Sequence, residues 1–171
     1  IRRGEFTYVE CYNATSCLGA AVYAEQGVLV LDDVTLTETV ISDVETVQGG
    51  AVYSTAFTTL NDVTVELTSI METDSVTGGA VYLEHVNNVI TDLTIRETTI
   101  EARVGTIGGG LYANGGGLSA TRMHLVDNEV SIESSVHSAV STPTEVRGVG
   151  AYIVNNEASA PSVLTNLMIA N

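Results

Sequence analysis

Three aspartates, Asp33, Asp62 and Asp92, recur at intervals of 29 and 30 residues. If residues that far apart lie over one another, their carboxylates form a column. Like charges about 4.8 Å apart then repel by roughly 1 kcal/mol per adjacent pair at water-like dielectric. Solvent, with Arg122 at the next equivalent position, is the plainer relief; calcium, which takes carboxylate and carbonyl oxygens, is the other. Asp33, Asp62 and Asp92 are therefore calcium candidates, and no cofactor is otherwise expected.

A second row is aromatic. Tyr23, Tyr53, Tyr82, Tyr112 and Tyr152 close the near-copies GAAVY, GGAVY, GGAVY, GGGLY and GVGAY, at spacings of 30, 29, 30 and 40 residues. A row of tyrosines on a flat sheet offers contact to sugar rings or to another protein. The plainer reading is that the rings cover the sheet and pack on one another. On the contact reading, changing Tyr53 and Tyr82 together to serine abolishes partner binding and leaves the melting curve nearly intact.

Cys11 and Cys17 lie six residues apart with the sequon Asn13, Ala14, Thr15 between them. Such a pair is a disulfide, a metal half-site or two free thiols. No histidine lies nearby to complete a zinc site, and a disulfide is the expectation. Asn13 is a candidate for N-glycosylation, and both features lean towards the outside of the cell.

Catalytic constellations are harder to find. His85, His124 and His137 fall at different points of the repeat. No nucleophile elbow, phosphate-cradling loop before a helix, or HExxH pattern occurs. Asp32 and Asp33 form an adjacent pair, but neighbours in a strand point to opposite faces. The reading is therefore non-enzymatic. The formal charge is −15, and all six basic residues are arginines. Such a surface repels phosphate backbones and anionic headgroups, so neither nucleic acid nor a membrane surface is an expected partner. No apolar run approaches the roughly 18 residues of a spanning helix, so no membrane insertion of this segment is expected.

The elements that position these rows follow from the period itself. A second motif follows each tyrosine, about eleven residues on in the first four copies: LDDVTLTET, LNDVTVELT, ITDLTIRET, ATRMHLVDN and LTNLMIAN, centred on Val34, Val63, Leu93, Met123 and Leu167. Within it apolar and polar residues alternate, the pattern of a half-buried strand. In the tyrosine motif Val52, Val81 and Leu111 are expected inside and the tyrosines outside. Self-similarity near thirty residues, without helical periodicity, predicts an all-β parallel β-helix, a solenoid with about 30 residues per coil and roughly five coils. The glycine pairs Gly49, Gly50 and Gly78, Gly79 mark corners needing positive φ or close backbone approach. Glu66 should pair with Arg96 one coil on, and Thr35, Thr64 and Thr94 with Thr39, Thr68 and Thr98 should form hydroxyl ladders. A third apolar stretch covers Val44 to Val47, Val76, and Val104 to Ile107. Phe6 is aligned with Val34, 28 residues on. Residues 1–171 read as a single solenoid segment of a longer protein, with protruding loops at 133–145 and 154–162, where the two prolines lie.

The paired motifs resemble the GGA-repeat segments of polymorphic outer membrane proteins, whose signature is GGA plus an aliphatic residue followed by FxxN. Gly49, Gly50, Ala51, Val52 and Gly78, Gly79, Ala80, Val81 match the first element. In the second, Leu36 with Thr39, Val65 with Thr68 and Ile95 with Thr98 replace both Phe and Asn, whereas Leu125 with Asn128 keeps the Asn. The resemblance implies a right-handed parallel β-helix in a surface-exposed or secreted protein involved in adhesion. Other parallel β-helices are polysaccharide lyases or hydrolases, and a carbohydrate-active enzyme is the alternative function. The main expectation is an extracellular or cell-surface spacer, adhesin or filament component, in contact with other copies, other surface proteins or glycans.

Overall fold

The computed structural model describes residues 1–132, 145–154 and 162–170. Of the two expected loops, 133–144 and 155–161 lie outside the described residues, as does His137, whereas Glu145 and Val154 belong to strands. Among the described residues every regular element is a strand. In chain order these are β1 (Arg2–Leu18), β2 (Val22–Ala24), β3 (Val28–Gln48), β4 (Val52–Ser54), β5 (Phe57–Thr77), β6 (Val81–Glu84) and β7 (Val89–Arg96). They continue with β8 (Thr99–Ile107), β9 (Leu111–Asn114), β10 (Ser119–Val126), β11 (Glu129–Ile132), β12 (Glu145–Arg147), β13 (Ala151–Val154) and β14 (Val163–Ala170).

All strand pairs are parallel, and each joins a strand to its equivalent one turn away. The larger sheet runs β1-β3-β5-β7-β10-β14, with β8 pairing β5, β11 and β12. The smaller runs β2-β4-β6-β9-β13. Val34 pairs with Val63, Val63 with Leu93, Leu93 with Met123 and Met123 with Leu167, one continuous row that is buried from Val34 to Met123 and exposed at Leu167. The result is a β-solenoid of about four turns of about 30 residues. The roughly five coils expected compare with five strands in the smaller sheet, which enclose four turns, and six in the path of the larger one.

β3 and β5 reach 21 residues because the ladder continues around corners. The corners come from single residues in the left-handed region. They lie five apart: Arg3, Tyr8 and Asn13; Asp33, Glu38 and Asp43; Asp62, Leu67 and Glu72; Asp92 and Glu97; Arg122 and Asp127. Simple alternation therefore lasts only a few residues. In β3 the buried positions are Leu31, Val34, Leu36, Thr39, Ile41, Val44 and Val47, so the next inward side chain comes three positions on wherever a corner intervenes. Two apolar clusters fill the interior, one around the Val34 row and one around Ile41, Val47, Ile70, Val76 and Ile100.

Two expectations are corrected by register. Phe6 pairs with Leu36 rather than Val34, because β1 keeps a thirty-residue offset throughout. Val104 does not join Val47 and Val76 inside. The β5–β8 ladder shifts register on both sides of Thr73, and Val104 is left exposed on the outer wall.

Candidate functional site

The glycine corner sets the tyrosine row. Gly19, Gly49, Gly78, Gly108 and Gly148 have φ between 56° and 65°, a region costly for a residue with a Cβ. A Cβ at Gly49 would run into the carbonyl oxygen of Val52 and lie 2.9 Å from the Cβ of Tyr82. The second glycine meets a different demand. A Cβ at Gly50 would collide with the carbonyl oxygen of Gly79, one rung on. One glycine makes the turn, and the other lets two rungs approach.

Above these corners the rings stack. Centroids of Tyr23, Tyr53, Tyr82, Tyr112 and Tyr152 follow one another at 5.3, 5.0, 4.9 and 6.0 Å, with planes 10° to 14° apart. The tyrosines stand outside the core, as the alternation predicts, while Val52, Val81 and Leu111 are buried beneath them. Stacking in this sense spends the ring faces on one another. Tyr82, between two neighbours, keeps only 5 % of its surface exposed, against 49 % for Tyr23 at the edge. Solvent meets a ridge of ring edges and hydroxyls, and this burial makes a loss of stability the expected result of serine at Tyr53 and Tyr82.

Two of the hydroxyls, those of Tyr82 and Tyr23, engage the carboxylate two residues on. Tyr82 Oη donates to Glu84 Oε2 at 2.6 Å. Its pKa is pushed well above the ordinary phenol range, first by burial and then by that hydrogen bond. For Tyr23 the hydrogen bond to Glu25 is the larger cause and burial the smaller, pushing it up to about 12. Burial, followed by the charge of Glu84, raises Tyr53 and Tyr112.

The aspartate row is real, and its geometry has a conformational cause. Asp33, Asp62 and Asp92 have φ of 57°, 52° and 57°, at equivalent corners. Asp tolerates that region better than most residues. Arginines flank the row. Arg3 lies 3.7 Å from Asp33 at one end, and Arg122 grips both oxygens of Asp92 at the other, with Nη2 to Oδ2 at 2.5 Å. The Arg122 hydrogen bond holds the Asp92 carboxyl below its usual range, against a smaller opposing desolvation. Among the described residues no three His, Cys, Asp or Glu side chains converge as a metal set would require, so the candidate calcium ligands remain a linear row.

Ion pairs elsewhere follow the same rule. Arg2 meets Asp32, Arg103 meets Asp74, and Arg96 meets Glu66 as the spacing predicts, with Arg96 Nε to Glu66 Oε2 at 2.5 Å. Each pair joins residues 29 or 30 apart. The threonines divide. Thr35, Thr64 and Thr94 line one outer row, half-buried. Thr39, Thr68 and Thr98 point inward, fully buried, and their hydroxyls have no hydrogen-bond partner, contrary to the expected hydroxyl ladder. Asn128 fits the same inward site better. Its Oδ1 accepts from the Thr98 amide at 3.2 Å, as Asn88 Oδ1 accepts from the Thr58 amide at 2.9 Å.

The disulfide expected between Cys11 and Cys17 is not formed: both are free thiols. Asn13 is exposed at the corner between them, with φ 52°, beside a groove of about 310 Å³ that also touches Asp43, Glu72 and Arg103. His85 and His124 are not brought together. His85 Nδ1 lies 2.6 Å from the carbonyl oxygen of Val86, and His124 stands between Thr94 and Met168 in an outer row. Missed by sequence reasoning were the five-residue corner rule, Arg3 as the second cap of the aspartate row, and the inward asparagines. Arg3 and the asparagines left a signal, Arg3 preceding Asp33 by thirty residues and each asparagine following a threonine by thirty. No protein-family model, curated protein or solved structure matches the chain.

Proposed function

We propose that the chain is a non-enzymatic structural or adhesive segment of an extracellular or cell-surface solenoid protein, a stiff rod that spaces, adheres or contacts neighbours along its sides. One observation carries this reading. The strongest surface chemistry runs along the rod axis: five arginine–carboxylate pairs join residues one turn apart, and four aromatic contacts join successive tyrosines. Side chains engaged with the next rung hold length and register. The GGA-type repeat and the exposed Asn13 sequon favour the surface setting, and glycans, surface proteins or further copies are the fitting partners.

Incubation with a panel of plant, microbial and animal polysaccharides tests the proposal. The expected result is no sustained release of reducing or unsaturated ends, with saturable retention by one panel member if the rod is an adhesin. Continuous release would replace it with a carbohydrate-active enzyme. Secretion from a glycosylating host tests the setting: a mass increase lost in Asn13→Gln is expected, and an unmodified secreted chain would speak against a glycosylated surface.

A further inference from the structure

β1 is an edge strand of the larger sheet, and its only fully buried side chain is Cys17. Register places Cys11 over Ile41 and Cys17 over Val47, so both sulfurs enter rows that are filled in the next turn by apolar side chains. The rows continue as Ile70 and Ile100 for Cys11, and as Val76 and Thr106 for Cys17. Between the cysteines the chain turns the corner at Asn13, so they stand on two walls that meet there. Both belong to the same apolar cluster, with Cys17 3 % exposed and Cys11 half-buried. A thiol pair across a corner is placed to become a covalent brace.

We propose that Cys11 and Cys17 form a redox-active dithiol that closes to an intramolecular disulfide when it meets a small disulfide oxidant, bracing the Asn13 corner of β1. The more accessible Cys11 reacts first. Its thiolate attacks one sulfur of the oxidant, forming a mixed disulfide and releasing one reduced thiol. Cys17 then loses its proton and attacks the Cys11 sulfur, forming the S–S bond and expelling the second reduced thiol. The protein loses two protons and two electrons, and the oxidant is reduced to two thiols. Burial raises the Cys17 pKa, with smaller contributions from its hydrogen bond to Cys11 and the Cys11 charge. The closing step therefore speeds up as pH rises.

The test oxidises the 171-residue chain with oxidised glutathione and follows intact mass, thiol count and amide exchange. Expected are a monomer about 2 Da lighter with no reactive thiol, reversal by dithiothreitol, and exchange over residues 11–18 slowed about 10-fold or more, with β5 unchanged. The Cys17→Ser variant, if folded by circular dichroism, should stop at the glutathione adduct on Cys11. Stable adducts on the parent chain, or covalent dimers, would overturn the proposal. So would a disulfide that leaves exchange in β1 unchanged, since no brace would then exist.

Discussion

The tyrosine wall and the β5–β8 wall belong to the same turns, yet only the first keeps one register from end to end. β2, β4, β6, β9 and β13 pair tyrosine on tyrosine without a shift. β5 and β8 slip on both sides of Thr73, and the left-handed corner at Glu72 has no counterpart one rung on. The difference lies in what tolerates an extra or missing residue. At the tyrosine wall a glycine corner, a close rung contact and a ring stack all depend on one spacing. At the β5–β8 corner a single left-handed residue does the turning, and its loss costs local pairing without dislodging Ile70 from Ile100.

The largest effect should follow from breaking the tight wall. A Cβ at Gly79 meets the carbonyl oxygen of Gly109 and Ile100 Cδ1. Gly79→Val should cost about 3–5 kcal/mol, while Val104→Ser on the loose wall should stay within about 0.5 kcal/mol. Urea unfolding of both variants compares the walls directly, and equal losses would erase the distinction. Next comes the ring stack. Tyr82→Ser should cost about 2–3 kcal/mol, because a ring covered on both faces is removed. Tyr23→Ser, stacked on one side only, should lose much less.

The same stack gives the rod an alkaline limit. The folded-state pKa values of Tyr23, Tyr53, Tyr82 and Tyr112 lie above the ordinary value of about 10. Raised values mean that the folded chain holds protons the unfolded chain releases. Stability is therefore full below pH 10 and falls as pH rises towards and past the Tyr23 value of about 12. Denaturation midpoints from pH 9 to 12, read beside phenolate absorbance, check this. A flat profile would mean that the rings are not held as described.

A smaller change has the opposite sign. Thr68 buries a hydroxyl without a partner, so Thr68→Val should stabilise by about 1 kcal/mol. Asn128→Val should destabilise by about 1–3 kcal/mol, since it strands the Thr98 amide. The smallest effect belongs to the ion pairs. Arg96→Ala should cost about 0–1 kcal/mol, and less in high salt.

How far the fold was legible depended on whether a structural demand selects one residue type. A left-handed corner packed against the next rung accepts little but glycine, so Gly49 and Gly78 announced themselves. The corners at Tyr8, Asp33, Glu38 and Leu67 have no common side chain, because solvent surrounds them and only the backbone is constrained. Their five-residue rhythm was invisible, and Asp33, Asp62 and Asp92 drew notice for charge when conformation explains their place. Phe6 was misaligned by two for the same reason: local alternation repeats every second residue and cannot distinguish one inward position from the next. Thr39 and Thr68 were grouped with Thr35 and Thr64 as hydroxyl ladders because the corner at Glu38, between Leu36 and Thr39, was not foreseen. The spacing of Cys11 and Cys17 suggested a disulfide, whereas both are free thiols.

The central claim is that residues about thirty apart sit directly over one another, and engineered disulfides test it most directly. In a Cys11→Ser, Cys17→Ser background, Thr35→Cys with Thr64→Cys joins direct ladder partners, whereas Thr35→Cys with Thr59→Cys joins positions in different rows. Paired strands lie about 4.8 Å apart, within disulfide reach. The first pair should oxidise to completion without unfolding the rod, and the second should stay reduced. A reduced first pair, or equal oxidation of both, would contradict the stacked-turn account.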